Sequence, residues 1–319
     1  VDYDVIVYCH GTKETGLGHF SRCFNIALAL KDMGASLAFY GQFDEFAKAR
    51  IAQSGFVLTS HYSFTSHPVI LCDDYNFRQK ELKLLHDAGA KLIAIDDFDQ
   101  YNFDFIKRIV NFRYKAATLC HATNRHLLDL SYFPFHPDLE SVRTQNLNNS
   151  EKRQKVNTIL LFIGAHDRHA VARRLLKALD NLVNAKQIVL VAGKQLKFDC
   201  KNNQLKQLSF VDDMAQLYRQ ADMVISGGGL TKYEAGFCLL PNAAISQTKE
   251  QQLDTEILAE SKLCYDLGLA PAIEQTELEN RLSLFLSDEF KHQFEKQKSA
   301  FHIDSTRHLA QKILEVRDE

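Results

Sequence analysis

Val5-Ile6-Val7-Tyr8 and, a few residues on, Gly16-Leu17-Gly18-His19-Phe20-Ser21-Arg22-Cys23 decide how this chain begins to fold. The first is an apolar run of the length expected for a buried strand. After the two glycines, apolar residues fall at Phe20, Cys23, Phe24, Ala27 and Leu28, the i, i+3, i+4, i+7, i+8 spacing of one helix face. Gly34 then stands as a C-terminal stop. The pattern recurs: Leu37-Ala38-Phe39-Tyr40 reads as a strand, Glu45–Ser54 as a helix, and Val57-Leu58-Thr59 and Val69-Ile70-Leu71-Cys72 as strands. Glu81–Ala88 reads as a helix and Leu92-Ile93-Ala94-Ile95 as a strand. Alternating strands and helices predict an α/β fold with parallel strands joined by helical crossovers.

The pattern breaks from Asp138 to Val156, a stretch almost wholly polar, which predicts an interdomain linker. It then restarts, with strands at Ile159–Ile163, Ile188–Ala192, Met223–Ser226 and Ala243–Ser246 and a short one ending at Ser209-Phe210. Helices are expected at Ala170–Leu182, Met214–Ala221 and Gln251–Ser261, after Gly227-Gly228-Gly229, and over most of Glu277–Glu319. The length, 319 residues, agrees with two domains at roughly 150 residues each. Hydrophobic residues make up 45% and charged residues 24%, a globular balance that excludes global disorder. A net charge of −2 argues against an electrostatic nucleic-acid or membrane-surface binder. No apolar run approaches the length of a transmembrane helix, and the N-terminus lacks a basic signal-peptide region. Seven scattered cysteines without a CxxC read as reduced thiols, so a cytoplasmic location is expected.

Four constellations could carry chemistry. Gly16-Leu17-Gly18-His19 lies at the carboxyl end of the first strand, where parallel α/β sheets bind ligands. His19 would stand at a helix N-terminus, whose dipole favours a neutral ring able to act as a base; the alternative is a tight turn with an incidental histidine. Gly228-Gly229-Leu230-Thr231-Lys232-Tyr233-Glu234 is the counterpart in the second half, with backbone N–H groups to hold phosphate, a hydroxyl from Thr231 and an acceptor for ribose from Glu234. Asp73-Asp74-Tyr75 and Asp96-Asp97 end neighbouring strands; they read as turn formers in preference to metal ligands, with the Tyr75 phenol as a substrate contact. Gly164-Ala165-His166-Asp167 reads as a crevice loop in which Asp167 caps the next helix and His166 contacts substrate.

These residues resemble the UDP-2,4-diacetamido-2,4,6-trideoxy-β-L-altropyranose hydrolases of pseudaminic acid biosynthesis and their spore-coat polysaccharide relatives. The GxGHxxRC pattern of that family is matched by Gly16 to Cys23, its Asp-x-Tyr by Asp73-Asp74-Tyr75, and its glycine pair with a following Glu by Gly228, Gly229 and Glu234. The resemblance implies a GT-B-like α/β fold: two Rossmann-like domains with parallel sheets facing an interdomain cleft. It implies residues 1–145 as the sugar side carrying the base, 156–304 as the UDP side, and 305–319 as a helix returning to the N-terminal domain. It further implies His19 as the base, with Gly16, Gly18, Arg22, Tyr75, Asp74 and His166 at the sugar and Gly228, Gly229, Thr231, Glu234 and Gln251 at the nucleotide. The chemistry implied is metal-independent, inverting hydrolysis of a UDP-sugar, with no cofactor. This chain departs from the family at Tyr8 and His10, where the family has Arg and Asp, at Gly164-Ala165-His166-Asp167, and at Glu250-Gln251, where a buried Glu250 beside a pyrophosphate would be repulsive. A GT-B glycosyltransferase with a UDP-sugar donor and a non-catalytic nucleotide-sugar-binding protein are the competing readings.

Overall fold

The computed structural model describes residues 3–12, 15–60, 68–149, 155–164, 167, 169–209, 211–287 and 289–319. The chain divides into two compact units, Val1–Pro137 with Ile303–Glu319, and Asp138–His302.

The first unit is built on a seven-stranded parallel sheet: β1 (Val5–Cys9), β2 (Leu37–Tyr40), β3 (Val57–Leu58), β4 (Val69–Asp73), β5 (Lys91–Ile95), β6 (Ile106–Asn111) and β7 (His126–Leu128). Its strand order is β3-β2-β1-β4-β5-β6-β7. The direction of winding therefore reverses between β1 and β4, which run in register from Val5 opposite Val69 to Cys9 opposite Asp73. β4 is buried at every position, so its sequence is continuously apolar until Asp73. Helices α1 (Gly18–Asp32), α2 (Glu45–Gln53) and α3 (Gln79–Asp87) follow β1, β2 and β4. α1 buries Phe20, Cys23, Phe24, Ile26, Ala27 and Leu30. Phe20 and Phe24 pack with Phe39, and the cluster extends to Phe43 and Phe56.

The second unit opens with α4 (Asp138–Asn148) and holds a six-stranded parallel sheet of β8 (Thr158–Phe162), β9 (Gln187–Val191), β10 (Gln204–Leu208), β11 (Met223–Gly227), β12 (Asn242–Ser246) and β13 (Tyr265–Leu269). The order β10-β9-β8-β11-β12-β13 repeats the first unit's plan, with its switch point between β8 and β11. Its other helices are α5 (Val171–Leu182), α6 (Met214–Gln220), α7 (Thr231–Phe237), α8 (Lys249–Glu260), α9 (Gln275–Ser287) and α10 (Gln293–Ala300). One face is filled by Leu175, Leu176, Leu179, Leu278, Leu282 and Phe285 against Ile159, Leu161, Ile188 and Ile225.

The boundary between the two units differs from the sequence reading. Asp138–Asn148 is a helix of the second unit, not an open linker, so the first unit ends at Pro137 and not near 145. The polar residues that suggest a linker instead satisfy helix ends. Arg143 donates to the carbonyls of Phe237 (2.7 Å) and Phe301 (2.9 Å), and Asn146 to that of Cys238 (2.8 Å). The C-terminal helix, Ser305–Asp318, packs against α1 in the first unit through the buried Leu309, Ala310, Ile313 and Val316. Ser305 Oγ and Thr306 Oγ1 tie its start to the carbonyls of Phe133 (2.7 Å) and Phe135 (3.0 Å).

Because Ile313 is wholly buried, Ile313→Ala should destabilise the first unit by about 2–5 kcal/mol. Urea titration followed by circular dichroism will show an earlier transition for the variant.

Candidate functional site

At the switch point of the first sheet, α1 starts just beyond β1 and delivers His19 and Arg22, one helical turn apart, to the carboxyl ends of β4 and β5. Gly16 has a φ of +77°, a conformation only glycine adopts without strain, and a Cβ on Gly18 would meet nothing within 4 Å. The turn is thus set by Gly16, while at Gly18 a side chain would meet none of the described residues.

Arg22 is 4% exposed. Its Nε–H donates to Asp73 Oδ2 (2.6 Å), Nη2 to Asp73 Oδ1 (2.6 Å) and Nη1 to Asp97 Oδ2 (2.7 Å). Its guanidinium also lies over the ring of Phe112, 5.1 Å from the centroid. Burial disfavours charge on both sides, but the pairing outweighs it. Arg22 is held well above its ordinary range by Asp73 and Asp97, and Asp73 well below the usual carboxylate range by Arg22 and His19. Each of its three nitrogens is engaged by a carboxylate, so Arg22 is a buried clamp.

His19 Nδ1 lies 2.7 Å from Asp73 Oδ1. The ionised carboxylate only accepts, so Nδ1–H is the donor and the neutral ring keeps its lone pair on Nε2. The ring stands edge-on to Tyr75, with centroids 4.3 Å apart. Tyr75 donates its hydroxyl to Asp97 Oδ2 at 2.7 Å. Desolvation and the Asp97 charge push this phenol far up, so it remains a donor. The Tyr75 ring is nevertheless 42% exposed and packs against Phe98, which is 38% exposed, so an aromatic surface continues from His19. The two acidic pairs thus split their duties. Asp73 and Asp97 bind Arg22, whereas Asp96 accepts from the backbone N–H groups of Phe98, Gln100 and Tyr101 as a turn former. Among the described residues no cluster of three His, Cys, Asp or Glu side chains is placed to hold a metal.

In the second unit, Gly227 is required because a Cβ there would lie 2.5 Å from the Ile163 carbonyl oxygen, and Gly228 because one would lie 2.7 Å from Gln251 Cβ. At Gly229 a Cβ would meet no atom of the described residues within 4 Å. Thr231, the first residue of α7, is partly exposed. Glu234 is also partly exposed, and its Oε2 accepts from the buried Tyr218 hydroxyl at 2.6 Å. Burial raises the Glu234 carboxyl. Gln251 accepts from the Gln247 N–H through Oε1 (2.9 Å). Asp167 accepts from the N–H groups of Val171 (2.6 Å) and Ala172 (3.0 Å) at the start of α5. His166 lies outside the described residues. Glu250 is exposed on the first turn of α8, which removes the difficulty of a buried carboxylate there.

Sequence reasoning did not single out Lys232 or Asp254. Lys232 is fully buried at the start of α7, and its Nζ bonds Asp254 Oδ2 (2.8 Å) and the Gly228 carbonyl (2.5 Å). Asp254, on α8, also accepts from the Tyr233 hydroxyl at 2.5 Å. One buried ion pair therefore fixes the glycine turn and joins the two helices beside it. Asp73 and Asp97 were visible only as strand-end acids, since their partner sits 51 and 75 residues away.

The model of the glycosyltransferase family 28 C-terminal domain matches residues 158–313. The Bacillus subtilis spore coat polysaccharide biosynthesis protein SpsG is 23% identical over 305 residues, 88% of each chain. MurG of Acinetobacter baumannii superposes with a TM-score of 0.70 at 13% identity, over 98% of this chain and 99% of its own. The S. aureus MnaA structure solved with UDP gives a TM-score of 0.59 at 10% identity, over 97% and 94%. The fold is GT-B-like. The GT-B-like chain carries a carboxylate-oriented histidine at the first switch point and a glycine turn braced by a buried lysine at the second.

Three variants test these braces. Lys232→Met strands a buried carboxylate and should cost about 3–5 kcal/mol in thermal or urea unfolding, most of it recovered in Lys232→Met/Asp254→Leu. For Asp73, whose folded-state pKa is depressed, the stabilisation is fully present above the unfolded value of about 3.9 and is lost as pH falls through the folded value. The stability gap between wild type and Asp73→Asn should therefore be constant near neutrality and narrow below about pH 4.

Proposed function

We propose that the protein is a metal-independent hydrolase of a UDP-linked acetamido-deoxy sugar, releasing UDP and the free sugar with inversion, in nonulosonic acid or other surface-glycan synthesis. The observation that carries this reading is the His19–Asp73 pair at 2.7 Å. It leaves Nε2 as a base at the carboxyl end of the first sheet, where parallel α/β folds bind ligands. In the proposed reaction Nε2 takes a proton from water as the water oxygen bonds the anomeric carbon. The bond from that carbon to the phosphate oxygen breaks, and its electron pair leaves with UDP. Asp73 stabilises the imidazolium and remains ionised, because Arg22 holds it so. The second unit takes the nucleotide at the Gly228-Gly229 turn, with Thr231, Glu234 and Gln251 beside it. Similarity to SpsG, whose name places it in spore coat polysaccharide biosynthesis, supports the surface-glycan setting. Independence from metal is supported by Asp73 and Asp96, whose oxygens are engaged by Arg22, His19 and backbone N–H groups.

A glycosyltransferase using the same donor is favoured by the family 28 match to residues 158–313. The same base would then deprotonate an acceptor hydroxyl. The two readings separate on one measurement, UDP release from a panel of UDP-acetamido sugars without any acceptor. Hydrolysis requires steady release that chelator leaves intact; release that needs an added acceptor supports transfer. In either case His19→Ala should lower kcat about 10²–10⁴-fold with UDP affinity kept, and full activity in this variant would remove His19 from the mechanism.

A further inference from the structure

The carboxyl end of the first sheet carries a second His–Asp pair that the proposed base does not use. His10 follows β1 and Asp74 follows β4, directly beyond the Cys9–Asp73 register pair. The Gln42 backbone N–H donates to His10 Nδ1 at 3.0 Å. A ring nitrogen that accepts carries no proton, so the neutral ring bears its hydrogen on Nε2. The ring sits against Gly41, where a Cβ would come 3.3 Å from Nδ1, and edge-on to Tyr8 with centroids 5.8 Å apart. Asp74 is equally constrained: its Oδ1 accepts from the Asn76 N–H (2.6 Å) and its carbonyl from the Tyr101 hydroxyl (2.6 Å).

What remains of the two side chains is one donor and one acceptor facing each other. His10 Nε2 lies 3.7 Å from Asp74 Oδ2, beyond direct hydrogen-bond range. Among the described residues neither atom has a hydrogen-bond partner. The side chains are 21% and 9% exposed, enough to be reached and too little to be freely solvated. A hydroxyl group satisfies both at once, donating to the carboxylate oxygen and accepting from the imidazole N–H.

We infer that His10 and Asp74 form a subsite that recognises one hydroxyl of the glycosyl group. The inference rests on the UDP-sugar reading above and extends it to a residue, His10, to which that reading gives no role. Charge-assisted pairing makes the site selective, because a sugar lacking the hydroxyl leaves a desolvated carboxylate oxygen without a partner.

The test compares wild type, His10→Ala and Asp74→Asn on the UDP-sugar that wild type turns over and on its monodeoxy analogues. KM should rise about tenfold in each variant, with kcat within about threefold, unchanged affinity for UDP alone and an unaltered unfolding temperature. One monodeoxy analogue should cost wild type the same factor and cost the variants nothing further. Unchanged KM in both variants would overturn the subsite and make the pair a solvated surface contact. A fall in kcat without a change in KM would also overturn it, showing that Asp74 acts through Asp73. If wild type releases UDP from no donor, the hydrolase reading fails. Calorimetry with intact UDP-sugars against UDP then decides the subsite, which requires that the sugar-dependent part of the affinity be lost in both variants.

Discussion

A buried guanidinium between two carboxylates organises the first unit. Removing Arg22 from water is costly, and in a low-dielectric interior the cost is offset only when every donor finds an acceptor. Asp73 closes β4 and Asp97 follows β5, so one side chain from α1 ties the helix to two strands of the sheet. An apolar core could match this in stability, as buried ion pairs rarely outperform well-packed hydrocarbon. It could not position His19. The carboxylate that Arg22 keeps ionised is the one that orients the imidazole, so Arg22 and His19 share one acceptor.

The second unit applies the same principle to backbone. Lys232 is as buried as Arg22, but it grips the carbonyl of Gly228, with Asp254 balancing the charge. A glycine turn is entropically expensive to order. Here the order comes from a buried cation on one side and from close packing of Gly228 against Gln251 on the other. At Gly229, by contrast, an added Cβ would meet no atom of the described residues within 4 Å.

The surface beside His19 bears on the choice between the two proposed reactions, with water or with a larger acceptor. Tyr75 and Phe98 expose their rings next to His19, and Tyr75 keeps its hydroxyl bound to Asp97. Aromatic faces suit the apolar side of a sugar ring as well as an apolar acceptor. This is why the same residues serve both enzymatic readings, and why the nucleophile has to be identified by reaction.

Local pattern in the sequence determined a great deal. Strand and helix alternation, both glycine turns, the position of His19 at the start of α1 and the capping role of Asp167 all follow from spacing over a few residues. Strands β6, β7 and β13 were not legible, since Ile106–Asn111 and Tyr265–Leu269 mix charge and glycine into short runs near or at sheet edges, where only part of the strand is buried. The polar α4 misled for a related reason: Arg143 and Asn146 are buried because they meet carbonyls more than 90 residues away. Only the tertiary structure decided that Arg22 is a clamp, that Asp73 is the partner of His19 and that Lys232 holds the glycine turn. Each of these depends on which charges meet across a folded core, and the energy of such a meeting leaves no trace in local periodicity.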